Sequence, residues 1–191
     1  VENKTKYLIA DNESNIKTKT CEILKKIYAD KYEIFLTKLK EFDGYVSGSF
    51  VCNILYNAHH TYSDIDIYFN NYKNAIKFGE GLKELEYLRM SICKYNSYSI
   101  LGTHVDNIIT HKVLNPYLSL YPKIQLIVIN QNLNTVNYIM TYFDINYCKV
   151  AIDGDCNGYM FEKYENKTFI SENIMNVMKL YSSNLELCNK S

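Results

Sequence analysis

The segment Ser63-Asp64-Ile65-Asp66-Ile67-Tyr68-Phe69 constrains this chain more than any other. Two carboxylates alternate there with branched apolar residues, and a period of two fits a strand rather than a helix. Successive side chains of a strand point to opposite faces, so Asp64 and Asp66 share one face, roughly 6–7 Å apart. Ile65, Ile67 and Phe69 then turn the other way, into a core. Two like charges side by side are unfavourable unless something positive sits between them. A divalent hard cation, Mg²⁺ or Mn²⁺, prefers carboxylate oxygens and is the expected neutraliser.

Just upstream, Gly44 to Ser47 reads as a short strand that breaks at Gly48-Ser49 into a helix over Ser49–Ala58, with Phe50, Val51, Ile54 and Leu55 on its buried side. A helix N-terminus offers free N–H groups and the positive end of a dipole, which suits phosphate. Gly48 lets the backbone approach a ligand closely, and Ser49 caps the helix or binds a phosphate oxygen. The junction alone reads equally as an ordinary Ser cap after a Gly turn; the acidic strand that follows favours a ligand site. The expected arrangement is a cleft holding a magnesium-bound nucleoside triphosphate, metal on the acids and phosphates on the N–H groups. A side chain at Gly48 is then expected to abolish triphosphate binding with the fold largely intact.

A Gly-Ser opening a helix, followed by Asp-apolar-Asp-apolar on a strand, resembles the nucleotidyltransferase superfamily, which includes DNA polymerase beta, poly(A) polymerases and CCA-adding enzymes. The gap between Ser49 and Asp64 is slightly longer than is usual for that motif. A second stretch, KIQLIVIN (Lys123 to Asn130) and then NTVNYIMTYFDINYCKVAIDGD (Asn134 to Asp155), resembles nucleotidyltransferase-like proteins of large DNA viruses and of some eukaryotic multidomain proteins. The resemblance implies transfer of a nucleoside monophosphate from an NTP to a hydroxyl of nucleic acid, protein or a small molecule. It assigns the metal to Asp64 and Asp66 and the nucleotide to Gly48 and Ser49. The family's third metal-binding carboxylate falls on the strand corresponding to Lys123–Asn130, where this chain has Gln125. An amide offers a metal one neutral oxygen but cannot accept a proton as a general base. Two readings follow: an active transferase, or a degenerate module serving as a binding or assembly subunit. Should Gln125 face away from the acids, Asp144 or Asp153 becomes the candidate third carboxylate.

The rest of the chain predicts an α/β fold, a mixed twisted sheet of about five strands flanked by helices. Apolar residues at three- and four-residue spacing mark helices from Ser14 to Tyr28, Tyr32 to Phe42 and Tyr72 to Tyr87, the last weakened by Gly79 and Gly81. Strand candidates are Ser97–Leu101, Asn107–Val113, Lys123–Asn130, Tyr147–Ile152 and Tyr159–Phe161, with a short helix over Asn134–Tyr142 and a last helix from Ser171. Asp153-Gly154-Asp155 is a turn signal. His111 reads as structural and His59-His60 as an exposed loop. Residues 1–43 are expected to supply helices packed on a core of 44–191, one compact domain in all.

With 47% hydrophobic and 22% charged residues among 191, the composition is globular. A net charge of zero gives no global field for nucleic acid or an anionic membrane, so any polyanion site is a local patch. The six Cys form no CxxC pair and none has His at zinc spacing. Buried reduced thiols are expected, as in a cytoplasmic protein, of host cytoplasm or virion if the source is viral. Neither a signal peptide nor the ~18 apolar residues of a membrane span is present. The chain begins at Val1 rather than Met, which fits a processed product or a piece of something longer.

Overall fold

The computed structural model describes residues 13–55, 64–94, 104–113, 121–143 and 148–160. The predicted strand at Ser97–Leu101, the His59-His60 loop, Asp144 and the helix from Ser171 lie outside these.

The described chain runs α1 (Glu13–Tyr28), a 3₁₀ turn, α2 (Tyr32–Glu41), β1 (Tyr45–Ser47), α3 (Ser49–Leu55), β2 (Asp64–Phe69), α4 (Tyr72–Gly81), a 3₁₀ turn at Leu82–Leu85, β3 (Tyr87–Lys94), β4 (Val105–Val113), β5 (Lys123–Ile129), α5 (Thr135–Tyr142), β6 (Val150–Ile152) and β7 (Gly158–Met160). The strands form one mixed sheet in the order β3-β4-β5-β2-β1-β6-β7. β2 and β5 pair in parallel, and every other neighbouring pair is antiparallel.

The sheet has seven strands where the sequence predicts about five. Six of the seven described strands fall on stretches that the sequence marks as strands; β3, which follows α4, does not. The periodicity suggests a helix to Tyr87, but α4 stops at Gly81, Glu86 turns the chain at φ 65, and Tyr87 begins β3. Tyr87 is apolar enough to continue a helical pattern. What fixes it in the sheet is burial, with its hydroxyl donating to the Pro122 carbonyl at 2.9 Å. Asn71 accepts from the N–H groups of Lys73 and Asn74, and Asn134 from that of Asn137, each capping its helix.

The two faces of the sheet differ. Register places Val46, Ile65, Ile67, Phe69, Ile109, Ile124, Leu126 and Ile152 on one face, under α1, α2 and α4. There Phe35, Phe69 and Phe78 meet, with ring centroids 5.4 Å apart for Phe69–Phe78 and 6.0 Å for Phe35–Phe78. On the opposite face α5 covers Tyr68, Ile127 and Ile129. Rows of the same face beyond that cover carry Asp64, Asp66, Ser47, Lys123 and Gln125. The described cysteines are unbridged, and Cys21 and Cys156 bring their Sγ atoms to 2.8 Å.

Candidate functional site

β2 supplies the two acids. Each faces away from the helical layer because its neighbours Ile65 and Ile67 are fully buried in it. Parallel pairing sets Asp64 beside Lys123 and Asp66 beside Gln125, and antiparallel pairing on the other edge sets Ser47 beside Asp66. Gln125, Asp66 and Ser47 therefore form one row across three strands.

The polar atoms in that row answer one another. Lys123 Nζ lies 3.3 Å from Asp64 Oδ2. With its amide oriented to match donors with acceptors, Gln125 donates to Asp66 Oδ1 at 3.1 Å and accepts from Lys123 Nζ at 3.1 Å. The result is a continuous chain of contacts, Asp64–Lys123–Gln125–Asp66, over two strands. Burial and then the charge of Asp64 push the Asp66 carboxyl up to about 6, with Lys123 pulling it back.

Gly48 closes the site from β1. Its φ of 80 lies in the left-handed region, and a Cβ there would stand 3.0 Å from Asp66 Oδ2. The Cys52 N–H bonds the Gly48 carbonyl at 3.2 Å, closing the first turn of α3 at Ser49. Gly48, Asp66, Asp64 and Gln125, picked out separately along the sequence, thus converge. Asp153 does not join them. Its carboxylate takes the N–H groups of Asp155 and Asn157, the Asn157 amide and the Tyr159 hydroxyl, at 2.8–3.0 Å, which builds the β6–β7 turn. Asp155 pairs with Lys40 at 2.7 Å.

Lys123 is the site residue that sequence reasoning missed. The signal was available: it stands two residues before Gln125 on one strand, so the two share a face. Ser47, fully buried, donates to the Val150 carbonyl at 2.6 Å and so fixes β6 against β1 rather than offering a free hydroxyl.

For a divalent cation the donors are the two carboxylates and, with its amide turned over, the Gln125 oxygen. All are hard oxygens of the kind Mg²⁺ and Mn²⁺ take, with water and phosphate completing the shell. Among the described residues no group of three or more His, Cys, Asp or Glu could hold a metal. The protein would thus offer two charged ligands, and the Lys123 ammonium already neutralises part of their charge.

The sequence model of the Gabija anti-defense 2 family (Gad2) matches residues 14–180. Among curated proteins none matches the sequence significantly. Solved structures with a similar chain path include a CCA-adding enzyme in complex with ATP, at TM-score 0.46 and 18% identity over 74% of this chain and 32% of that one. A CCA-adding enzyme with CTP gives TM-score 0.46 and 17% identity, over 78% of this chain and 32% of that one. The Thermotoga maritima CCA-adding enzyme complexed with tRNA gives 0.45 and 16%, again over 78% and 32%. This chain spans about a third of the length of those structures. No described helix is long and apolar enough to cross a membrane.

Proposed function

The chain belongs to the Gabija anti-defense 2 family, and from that premise we propose that it is a metal-dependent nucleotidyltransferase acting against the Gabija defence. Asp64 and Asp66 hold a Mg²⁺ or Mn²⁺ ion, and Gly48 and Ser49 lie along the phosphates of an NTP. A nucleoside monophosphate is moved to a hydroxyl of a nucleic acid or protein, with pyrophosphate leaving. One observation carries this reading: the Asp66 carboxylate sits against the Gly48 backbone, with Asp64 next on the same face. Acids and glycine turn have no packing reason to meet on this partly buried stretch of the sheet face. Phosphoryl-transfer chemistry asks mainly for positioning and charge stabilisation, which such a cleft supplies.

The contacts of Lys123 and Gln125 favour a second reading, a catalytically degenerate module that binds or assembles. An ammonium beside Asp64 neutralises charge that a metal would otherwise have to, and an amide supplies no base. Two measurements separate the readings. Mn²⁺ is titrated calorimetrically into wild type and into Asp64→Asn/Asp66→Asn, and pyrophosphate release from each NTP is followed with nucleic acid and protein acceptors. The transferase reading expects Mn²⁺ binding and pyrophosphate release that the double variant loses. Equal Mn²⁺ affinity in both proteins with no pyrophosphate from any NTP leaves the degenerate module.

A further inference from the structure

On the helix-covered face, away from the acids, α4 stops short of the outer strands. The gap is a cavity of about 220 Å³ lined by Ala75, Ile76, Gly79 and Glu80 of α4, Lys83 of the following turn, and Tyr87, Arg89, Ile109 and His111 of β3 and β4. Arg89 and His111 stand directly opposite each other in register, so both side chains point to this face. His111 is 2% exposed, and its Nδ1 has no hydrogen-bond partner among the described residues. Gly79 makes room for the His111 ring: a Cβ there would stand 2.8 Å from His111 Nε2.

The charges at this cavity set the kind of ligand. Arg89 and Lys83 are exposed at its mouth, and neither makes an ion pair within the described residues. Glu80 is the one acid of the lining. Burial and then the nearby Arg89 push the His111 pKa down to about 4, against a hydrogen bond to the Ile109 backbone that raises it, so at neutral pH the ring is uncharged and adds no positive charge to the cavity. A guanidinium fork and an ammonium at the mouth of one space suit a tetrahedral oxyanion. The volume exceeds what a bare phosphate fills, and Ile76 and Ile109 give the remainder an apolar wall. We propose that this cavity binds a phosphate monoester, its oxyanion held by Arg89 and Lys83 and its body against Ile76 and Ile109.

The test is calorimetric titration of adenosine 5′-monophosphate, ribose 5-phosphate and inorganic phosphate into the full chain, with EDTA present so that no divalent cation recruits ligand to the acidic cleft. Wild type should bind at least one monoester saturably and more tightly than inorganic phosphate. Lys83→Met/Arg89→Met should weaken that binding about tenfold or more, the loss expected when two charged contacts go. Both residues are exposed, so the variant's melting temperature should stay at the wild-type value and a loss of binding can be assigned to the site. Asp64→Asn should leave the affinity unchanged, since it lies on the other face. A nucleotide ligand would show as the adenosine compound binding more tightly than the sugar phosphate, a sugar phosphate as the two being equal. Absence of saturable binding, phosphate binding as tightly as either ester, or affinity that follows Asp64 rather than Arg89 and Lys83 each overturns the proposal.

Discussion

Asp66 sits where a carboxylate is least comfortable, and its pKa of about 6 makes a stability prediction. In the unfolded chain an Asp ionises near 3.9. Between about pH 4 and pH 6 the unfolded chain therefore sheds this proton first, and stability falls as pH rises through that window. The full shift would correspond to about 3 kcal/mol, and partial contact with solvent brings the expectation to about 2 kcal/mol. Urea unfolding at pH 4.5 and 7.5, without divalent cations, should show wild type losing about 1 kcal/mol more than Asp66→Asn, since the unfolded Asp is already largely ionised at pH 4.5; equal losses would reject the assignment. Gly48 answers to backbone geometry. Its positive φ gives it a structural role beyond the binding role the sequence suggests, so Gly48→Ala should cost about 1–2 kcal/mol in thermal or urea unfolding. Gly48→Val should cost more, a loss of stability expected beside the loss of triphosphate binding. Gln125 faces the acids, beside Asp66. Gln125→Asp should tighten Mn²⁺ binding in calorimetry and raise any pyrophosphate release, while Gln125→Ala should leave that rate near wild type.

At the scale of elements, the parallel register of β2 and β5 does most to define the cleft. It brings residues 59 positions apart, Asp64 and Lys123, within 3.3 Å, and Asp66 beside Gln125. If Lys123 competes with a cation for Asp64, Lys123→Met should tighten Mn²⁺ binding by about three- to tenfold, roughly 1 kcal/mol. An unchanged or weaker affinity in calorimetry would mean that the ammonium assists the cation. Both strands are legible as strands from alternation and apolar content, but local pattern carries no information about which strands lie side by side. The end of α4 illustrates the same limit. Its periodicity runs on to Tyr87, and only packing of Tyr87 against Tyr28 and Tyr121 draws that residue into β3.

For the molecule as a whole, the question is whether the first helices are an accessory or part of the fold. Leu24, Tyr28, Tyr32, Phe35, Leu36 and Leu39 belong to the same buried cluster as Ile65, Ile67, Phe69, Leu126 and Ile152 of the sheet. Removing residues 13–43 would strip six large side chains from one face of the sheet, each worth roughly 1.5–3 kcal/mol of burial. Such a deletion should abolish cooperative thermal unfolding followed by circular dichroism, rather than leave residues 44–191 folded. A cooperative transition in the shortened chain would show that the two segments fold apart.

The sequence by itself determined what rests on neighbours in the chain. The face shared by Asp64 and Asp66 follows from the strand period, the helix starts at Asn71 and Asn134 from side chains that cap the next turn, and the β6–β7 turn from Asp153-Gly154-Asp155. Tertiary structure alone decided that β2 and β5 lie side by side so that Lys123 meets Asp64, that the seven described strands share one sheet, and that residues of α4, β3 and β4 far apart in sequence line one cavity. Each of these depends on pairing and burial between distant segments. The free energy of such contacts is set by which surfaces meet, and no local period records that.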